Sequence, residues 1–131
     1  MAGFSDYLSL AVANWIRGSS MPTPPTELRV ALSTTTVEKD GTQLTEPTGG
    51  YVRQVVNFSS AVVESDQGAF LRNSAPIVFG PATATWTGIR SVAVLDQAGN
   101  VLWSGDLPAA KTVVTGDTVS FGTGVFEFNV T

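Results

Sequence analysis

The sequence predicts a mainly β fold, an antiparallel β-sandwich or barrel of about seven or eight strands preceded by one N-terminal α-helix. Three observations carry this expectation. Apolar residues recur at helical spacing only near the start, where Phe4, Leu8, Ala11, Val12 and Trp15 share one face. After Pro25 the period changes to two, with Leu28, Val30 and Leu32 alternating with Arg29, Ala31 and Ser33. From there turn chemistry returns roughly every 8–12 residues, as in sandwiches and barrels.

The helix comes first. Ser5 can serve as its N-cap with Asp6 in the first turn, where negative charge suits the helix dipole; Arg17 sits in the last turn and Gly18 just past it. At roughly 14 residues such a helix is unstable alone, so its apolar face must pack on something. That something is either its own sheet, with Trp15 closing a buried stripe, or a partner, with Trp15 as an anchor. The first is preferred, because an uncovered amphipathic helix exposes a patch that soluble domains usually hide. The run Ser19-Ser20-Met21-Pro22-Thr23-Pro24-Pro25-Thr26 favours extended backbone and cannot continue a helix, so it reads as a spacer. The expected organisation is one domain over residues 1–131: a helical segment at 1–18, the spacer at 19–26 and the sandwich at 27–131.

The strand at 28–33 reads as half-buried, apolar on one face only. Residues 35–50 are polar and carry Lys39-Asp40-Gly41, Glu46-Pro47 and Gly49-Gly50, a long loop with little structure of its own. Strands are expected at 51–58, 61–64 and 69–72, and Ile77-Val78-Phe79 forms a short one ended by Gly80-Pro81. Residues 89–95 are apolar on both faces and read as a central strand. Asp96-Gln97-Ala98-Gly99-Asn100 supplies turn chemistry, and Val101-Leu102-Trp103-Ser104 returns as the partner in the clearest hairpin. Strands at 111–115, 118–121 and 124–130 complete the set, with Phe126, Phe128 and Val130 on one face of the last. The expected core contains Leu28, Val30, Leu32, Val92, Val94, Phe126 and Phe128.

The chain has 131 residues, 43% of them hydrophobic and only 14% charged, which suits one packed core and excludes a disordered tail. A formal net charge of -4 and a pI near 4.5 offer little to a polyanion, so nucleic acid is not an expected partner. Histidine and cysteine are both absent. Disulfides, thiolate zinc sites, Ser–His and Cys–His nucleophiles and the commonest general base go with them. No apolar run is long enough to cross a membrane, and the N-terminus lacks the marks of a signal peptide, so the chain reads as soluble and unprocessed. Asp40, Asp96 and Asp117 lie beside or one turn from a glycine, a context for backbone hydrogen bonding rather than catalysis. Glu38, Asp40 and Glu46 could converge on Ca²⁺, but no Asp-x-Asp-x-Asp spacing supports this, and neither metal nor cofactor is expected. Gly122-Thr123-Gly124 lies between two strands and reads as a bulge or tight corner, not a phosphate loop. Trp15, Trp86 and Trp103 form no row, so packing is the default for each.

Four segments, in order, carry a family resemblance: Phe4-Ser5-Asp6-Tyr7-Leu8; Leu28-Arg29-Val30-Ala31-Leu32-Ser33-Thr34 with Glu46-Pro47-Thr48-Gly49-Gly50-Tyr51-Val52-Arg53; Trp103-Ser104-Gly105; and Thr115-Gly116-Asp117-Thr118-Val119-Ser120-Phe121. The chain resembles, over nearly its whole length, the small virion structural proteins of tailed bacteriophages often labelled tail-fibre proteins. The resemblance implies a non-enzymatic, multi-copy virion component made in the host bacterial cytoplasm. Its implied partners are other virion proteins, the major capsid protein or tail proteins, and further copies of itself in a homo-oligomer. A fibre shaft requires heptads, collagen-like triplets or β-repeats, and the sequence holds none. A capsid decoration (cement) protein is therefore placed first and a tail-fibre or baseplate-associated module second. A carbohydrate-binding module is a third reading, which requires exposed aromatics near Trp86 or in residues 35–50. Contacts with neighbours are expected from the elements at the edges of the sandwich. These are Tyr7 and Trp15 on the helix, Pro22, Pro24 and Pro25 in the spacer, and Glu38, Lys39, Asp40, Glu46 and Tyr51 in or beside the loop.

Overall fold

The structure, a computed structural model, describes residues 3–130, so the first two residues of the expected 1–18 helical segment lie outside it. In chain order its elements are β1 (Gly3–Phe4), α1 (Asp6–Ile16), β2 (Leu28–Ser33), β3 (Gln54–Val56), β4 (Val62–Glu64), β5 (Gly68–Arg72), β6 (Ile77–Phe79), β7 (Trp86–Leu95), β8 (Val101–Val113), β9 (Val119–Phe121) and β10 (Glu127–Val130). The chain is mainly β with one helix, as expected, but the strands number ten among the described residues rather than seven or eight. All their pairings are antiparallel. They form a five-stranded sheet of order β1-β8-β7-β2-β3, a three-stranded sheet β10-β5-β4 and a two-stranded sheet β6-β9.

The main core lies on one face of the five-stranded sheet. Val30 and Leu32 of β2 and Val92 and Val94 of β7 pack there with Ile77 and Phe79 of β6, with Trp86 and with Phe126 and Phe128. Every residue of the expected core is in this cluster, with Leu28 at its half-buried margin. Residues 89–95 are central, flanked by β2 on one side and β8 on the other. The turn between β7 and β8 closes as its residues predict, the Asp96 carboxylate accepting from the backbone N–H groups of Ala98 (3.0 Å) and Asn100 (2.9 Å).

Several expectations are corrected. β2 is not half-buried: Ala31 and Ser33 are as inaccessible as Val30 and Leu32. Ala31, Ala93, Leu95 and Val101 form a second cluster on the opposite face, closed by Val37 and Leu44 from residues 34–50. That segment has no strand of its own, yet it is the cover of a sheet face and not a free loop. Small side chains at 31 and 93 leave room for it. Buried hydroxyls hold it: Ser33 Oγ donates to the Thr35 carbonyl (2.8 Å) and accepts from Thr45 N–H (3.0 Å), and Ser91 Oγ donates to the Thr35 carbonyl (2.6 Å).

The expected strand at 51–58 contracts to β3, and the strands expected at 101–104 and 111–115 merge into the single β8. Proline lacks the N–H a ladder needs, and Pro108 lies within β8. The chain solves this with a bulge: Leu107, Pro108, Ala109 and Ala110 stand opposite Arg90 alone, between the Ser91–Asp106 and Ile89–Lys111 pairs. Phe4 is in β1 opposite Trp103, not on the helix.

Trp103 also explains Gly105 two residues on. The Trp103 indole lies over that glycine, and a Cβ at 105 would come within 2.5 Å of Trp103 Cη2. The same indole stacks on Phe128 with ring centroids 5.0 Å apart. Gly105→Ala must therefore push the indole off Phe128, and a loss of about 1–3 kcal/mol is expected for this kind of overpacking. Thermal melting followed by tryptophan fluorescence checks it; an unchanged midpoint would contradict the packing described.

Candidate functional site

The helix begins where β1 hands the chain on. Ser5 N–H donates to the Leu102 carbonyl (2.9 Å) and Asp6 N–H to the Lys39 carbonyl (2.6 Å), while Ser5 Oγ caps the helix by accepting from Leu8 N–H (3.2 Å). These bonds tether the first turn to β8 and to the covering segment. Coverage then runs out along the helix. Leu8, Ala11 and Val12 are half-buried, but no residue of α1 is buried, and Leu10, Trp15 and Ile16 are 64%, 59% and 74% exposed. This overturns the expectation that Trp15 closes a buried stripe on its own sheet. Trp15 is on the predicted face, but that face is open in the last turn.

Residues 21–25 return alongside the helix in extended, proline-rich form. Tyr7 and Leu8, the run Met21, Pro22, Pro24 and Pro25, and Leu102 line a groove of ≈320 Å³ whose one charged lining residue is Asp96. Four expected contact residues, Tyr7, Pro22, Pro24 and Pro25, are thus brought together, with Trp15 exposed in the last turn of the same helix. The surface is apolar, and the neighbouring Asp96 carboxylate is occupied by its own turn. Such a site can bury apolar groups of a partner; it offers no nucleophile, base or metal ligand set.

The loop candidates divide. Glu38, Lys39 and Asp40 are exposed, and Lys39 is the residue whose carbonyl holds the helix start. Asp40 accepts from Thr42 N–H (3.0 Å) and Oγ1 (2.6 Å), bonds that hold its carboxyl below the usual range. Glu46 and Tyr51 are turned inward instead. Tyr51 Oη accepts from Leu32 N–H (3.0 Å) and donates to Glu46 Oε1 (2.7 Å), and Arg53 donates to both oxygens of that carboxylate at 2.7 and 3.1 Å. The Tyr51 ring stacks on Phe79 and meets Trp86 edge-on. Trp86 Nε1 donates to the Gly49 carbonyl (2.8 Å), and Gly49, at φ +103, lies so close to Ala84 that a Cβ would come within 2.7 Å. Glu46 and Tyr51 are therefore parts of an internal clasp. Burial raises the Glu46 pKa, but the hydrogen bonds from Arg53 and Tyr51 and the guanidinium charge outweigh it and leave the group below its ordinary 4.5. Burial, then the bond to Glu46, pushes the Tyr51 phenol up.

No cluster of three or more acidic, histidine or cysteine side chains that could hold a metal occurs among the described residues. Glu38, Asp40 and Glu46 do not form one: Asp40 serves Thr42, and Glu46 serves Tyr51 and Arg53. Sequence reasoning also missed Asn73, which is buried and fully engaged at the corner before β10. Its amide donates to the carbonyls of Ala75 (2.8 Å) and Gly122 (3.0 Å) and accepts from Phe126 N–H (3.0 Å). The corner expected at Gly122-Thr123-Gly124 is real, and its organiser is distant in sequence. Among the exposed apolar residues, Leu10, Ile16 and Met21 were missed; the Met-Pro-x-Pro-Pro run beside a helix end was the available signal.

Residues 3–129 match the family described as Podophage GP4 fiber I protein gp80. The chain belongs to this family, a family of phage structural fibre proteins. No curated protein matches it.

The clasp has a pH signature. A carboxylate whose folded pKa lies below its unfolded one contributes stability above the unfolded value and loses it as pH falls through the folded one. The Glu46 contribution is thus full above about pH 5 and fades below 4.5. Glu46→Gln is expected to cost about 1–3 kcal/mol at pH 7 and to converge on the unsubstituted protein in acid. Denaturant midpoints at pH 7 and pH 3 check both halves; an equal gap at the two pH values would contradict the role given to Glu46.

Proposed function

We propose that this member of the podophage fibre family is a non-enzymatic structural module of the tail-fibre assembly, held in the virion through the apolar surface of the last turn of α1 and residues 21–25. The observation that carries the reading is Trp15, 59% exposed on a helix with no buried residue. Interfacial aromatics of this kind are the usual anchors of protein–protein contacts. Fibre attachment stands ahead of capsid decoration, reversing the order expected from sequence, because the family description names a fibre protein. The lack of shaft repeats fits a module joined to a fibre rather than the shaft itself.

Catalysis finds no support in the residues. His and Cys are absent, and the carboxylates of Asp40, Asp96 and Glu46 each accept hydrogen bonds from their own surroundings. The carbohydrate-binding reading loses the feature it required, since Trp86 is 1% exposed and Tyr51 lies half-buried against it.

Trp15→Ala tests the attachment. Surface substitutions usually change stability by less than about 0.5 kcal/mol, whereas loss of an interfacial aromatic anchor costs about 2 kcal/mol or more. The isolated variant should melt with the unsubstituted protein while its incorporation into particles falls at least about tenfold. Equal incorporation would overturn the proposal, as would a collapse of the melting temperature. Gold labelling of intact particles then separates the placements: label at the tail supports the fibre assignment, and label spread over the capsid reinstates decoration.

A further inference from the structure

The two layers of the fold stay open along one side. Among the described residues β9 pairs with β6 alone, so its other edge has no strand partner. Facing β9 across a cleft of ≈450 Å³ is the β8 bulge, whose residues Leu107 to Ala110 enter no ladder pair among the described residues. Pro108 brings no N–H, and Ala109 and Ala110 are too small to close the gap, so all three stay exposed. The cleft reaches the core. Its floor is Leu32 and Ile89 of the main cluster, and Val119 and Phe121 of β9 are left half-buried along it. Lys111 is its one charged lining residue, exposed and in no ion pair among the described residues. Asp117 shares a smaller polar cleft with Lys111 but does not pair with it.

We propose that this cleft receives an extended, acidic and apolar segment of another virion protein, which adds to the free edge of β9 as a strand. Three features of the cleft select three features of the segment. Alternate residues of β9 direct their N–H and C=O groups away from β6, and an added strand satisfies them. Every second side chain of that strand then points to one face, where Leu32, Ile89 and Phe121 offer an apolar floor. The Lys111 ammonium favours a carboxylate on the segment and opposes a basic one, and it does so on a chain whose formal net charge is -4. A fatty acid would match the floor and the ammonium, yet it would leave the β9 edge unpaired, which is why the observations favour a strand.

The ladder is short, because β9 has 3 residues. A free peptide therefore binds weakly, with a Kd of about 0.1–1 mM, and the same segment gains wherever the virion already tethers its parent protein beside this one. The contact does not depend on attachment through Trp15, which lies on a different element.

An NMR titration of the full chain tests it, with an end-capped peptide of about eight residues that alternates valine with threonine and carries one glutamate in place of a threonine. The amides of Leu107, Ala109, Ala110, Lys111 and 119–121 should shift together. Lys111→Glu, an exposed substitution whose fold circular dichroism verifies, should weaken binding about tenfold and turn the preference to the same peptide with lysine for glutamate. Two further peptides, N-methylated at the valines or at the residues between them, separate backbone from side-chain recognition. One of them should lose at least about tenfold in affinity and the other should keep it, because only alternate N–H groups face β9. Decanoate, an apolar anion without a backbone, should bind more weakly than the parent peptide. No shift at these amides up to about 5 mM peptide overturns the proposal, as does binding indifferent to Lys111→Glu. Decanoate binding tighter than the peptide, with both methylated peptides equal to the parent, overturns it in favour of a lipid-anion site.

Discussion

A phenol stands where a strand would be. Beyond Val30 the edge of β2 has no partner in β3, and the Leu32 N–H is satisfied by Tyr51 Oη, itself fixed by Glu46 and Arg53. A buried amide left without an acceptor costs about 1–3 kcal/mol, so this bond constrains where Tyr51 can lie. With Tyr51 held between Phe79 and Trp86, both ends of residues 34–50 are pinned, one to the end of β2 and the other to the clasp. Only then can Val37 and Leu44 close the second face of the sheet. The helix depends in turn on that cover, because the Lys39 carbonyl receives its first-turn amide.

The arrangement divides the chain between inward and outward roles. The polar segment, which has the look of a reaching arm, is committed to the fold. The helix and the proline-rich segment, which have the look of a lid and a spacer, keep their apolar side chains outside it. A phage structural protein must associate repeatedly with neighbours while carrying few charges, and an apolar helix end beside pre-extended proline backbone loses little conformational freedom on docking.

Much of this was legible in the residues. The change of period after Pro25, the Asp96–Asn100 turn and the alternation of Val30, Leu32, Val92 and Val94 locate the main core, because strands covered on that face must place large side chains there. The second face was hidden because Ala31, Ser33, Ser91 and Ala93 are small, and small residues read equally as a solvated face and as a face making room for a covering segment. Glu46 and Tyr51 were hidden because their partners, Arg53 aside, are a backbone amide of β2 and rings from β6 and β7. The helix was misjudged for another reason. A period identifies which side chains share a face, and it contains nothing about how far the support beneath them extends.

Hydrogen exchange tests the central division most directly, measured on the free protein and on the protein in assembled particles. In the free protein the hydrogen-bonded amides of Thr34, Glu38, Gly41 and Thr45 should already be protected, while the amides of Met21 and Thr23, which the prolines around them leave as the exchangeable ones of 21–25, exchange fast. Assembly should then slow residues 6–26 and leave 34–50 as they were. A free protein in which 34–50 exchange at coil rates, or particles in which 34–50 gain protection and 6–26 do not, would contradict the account.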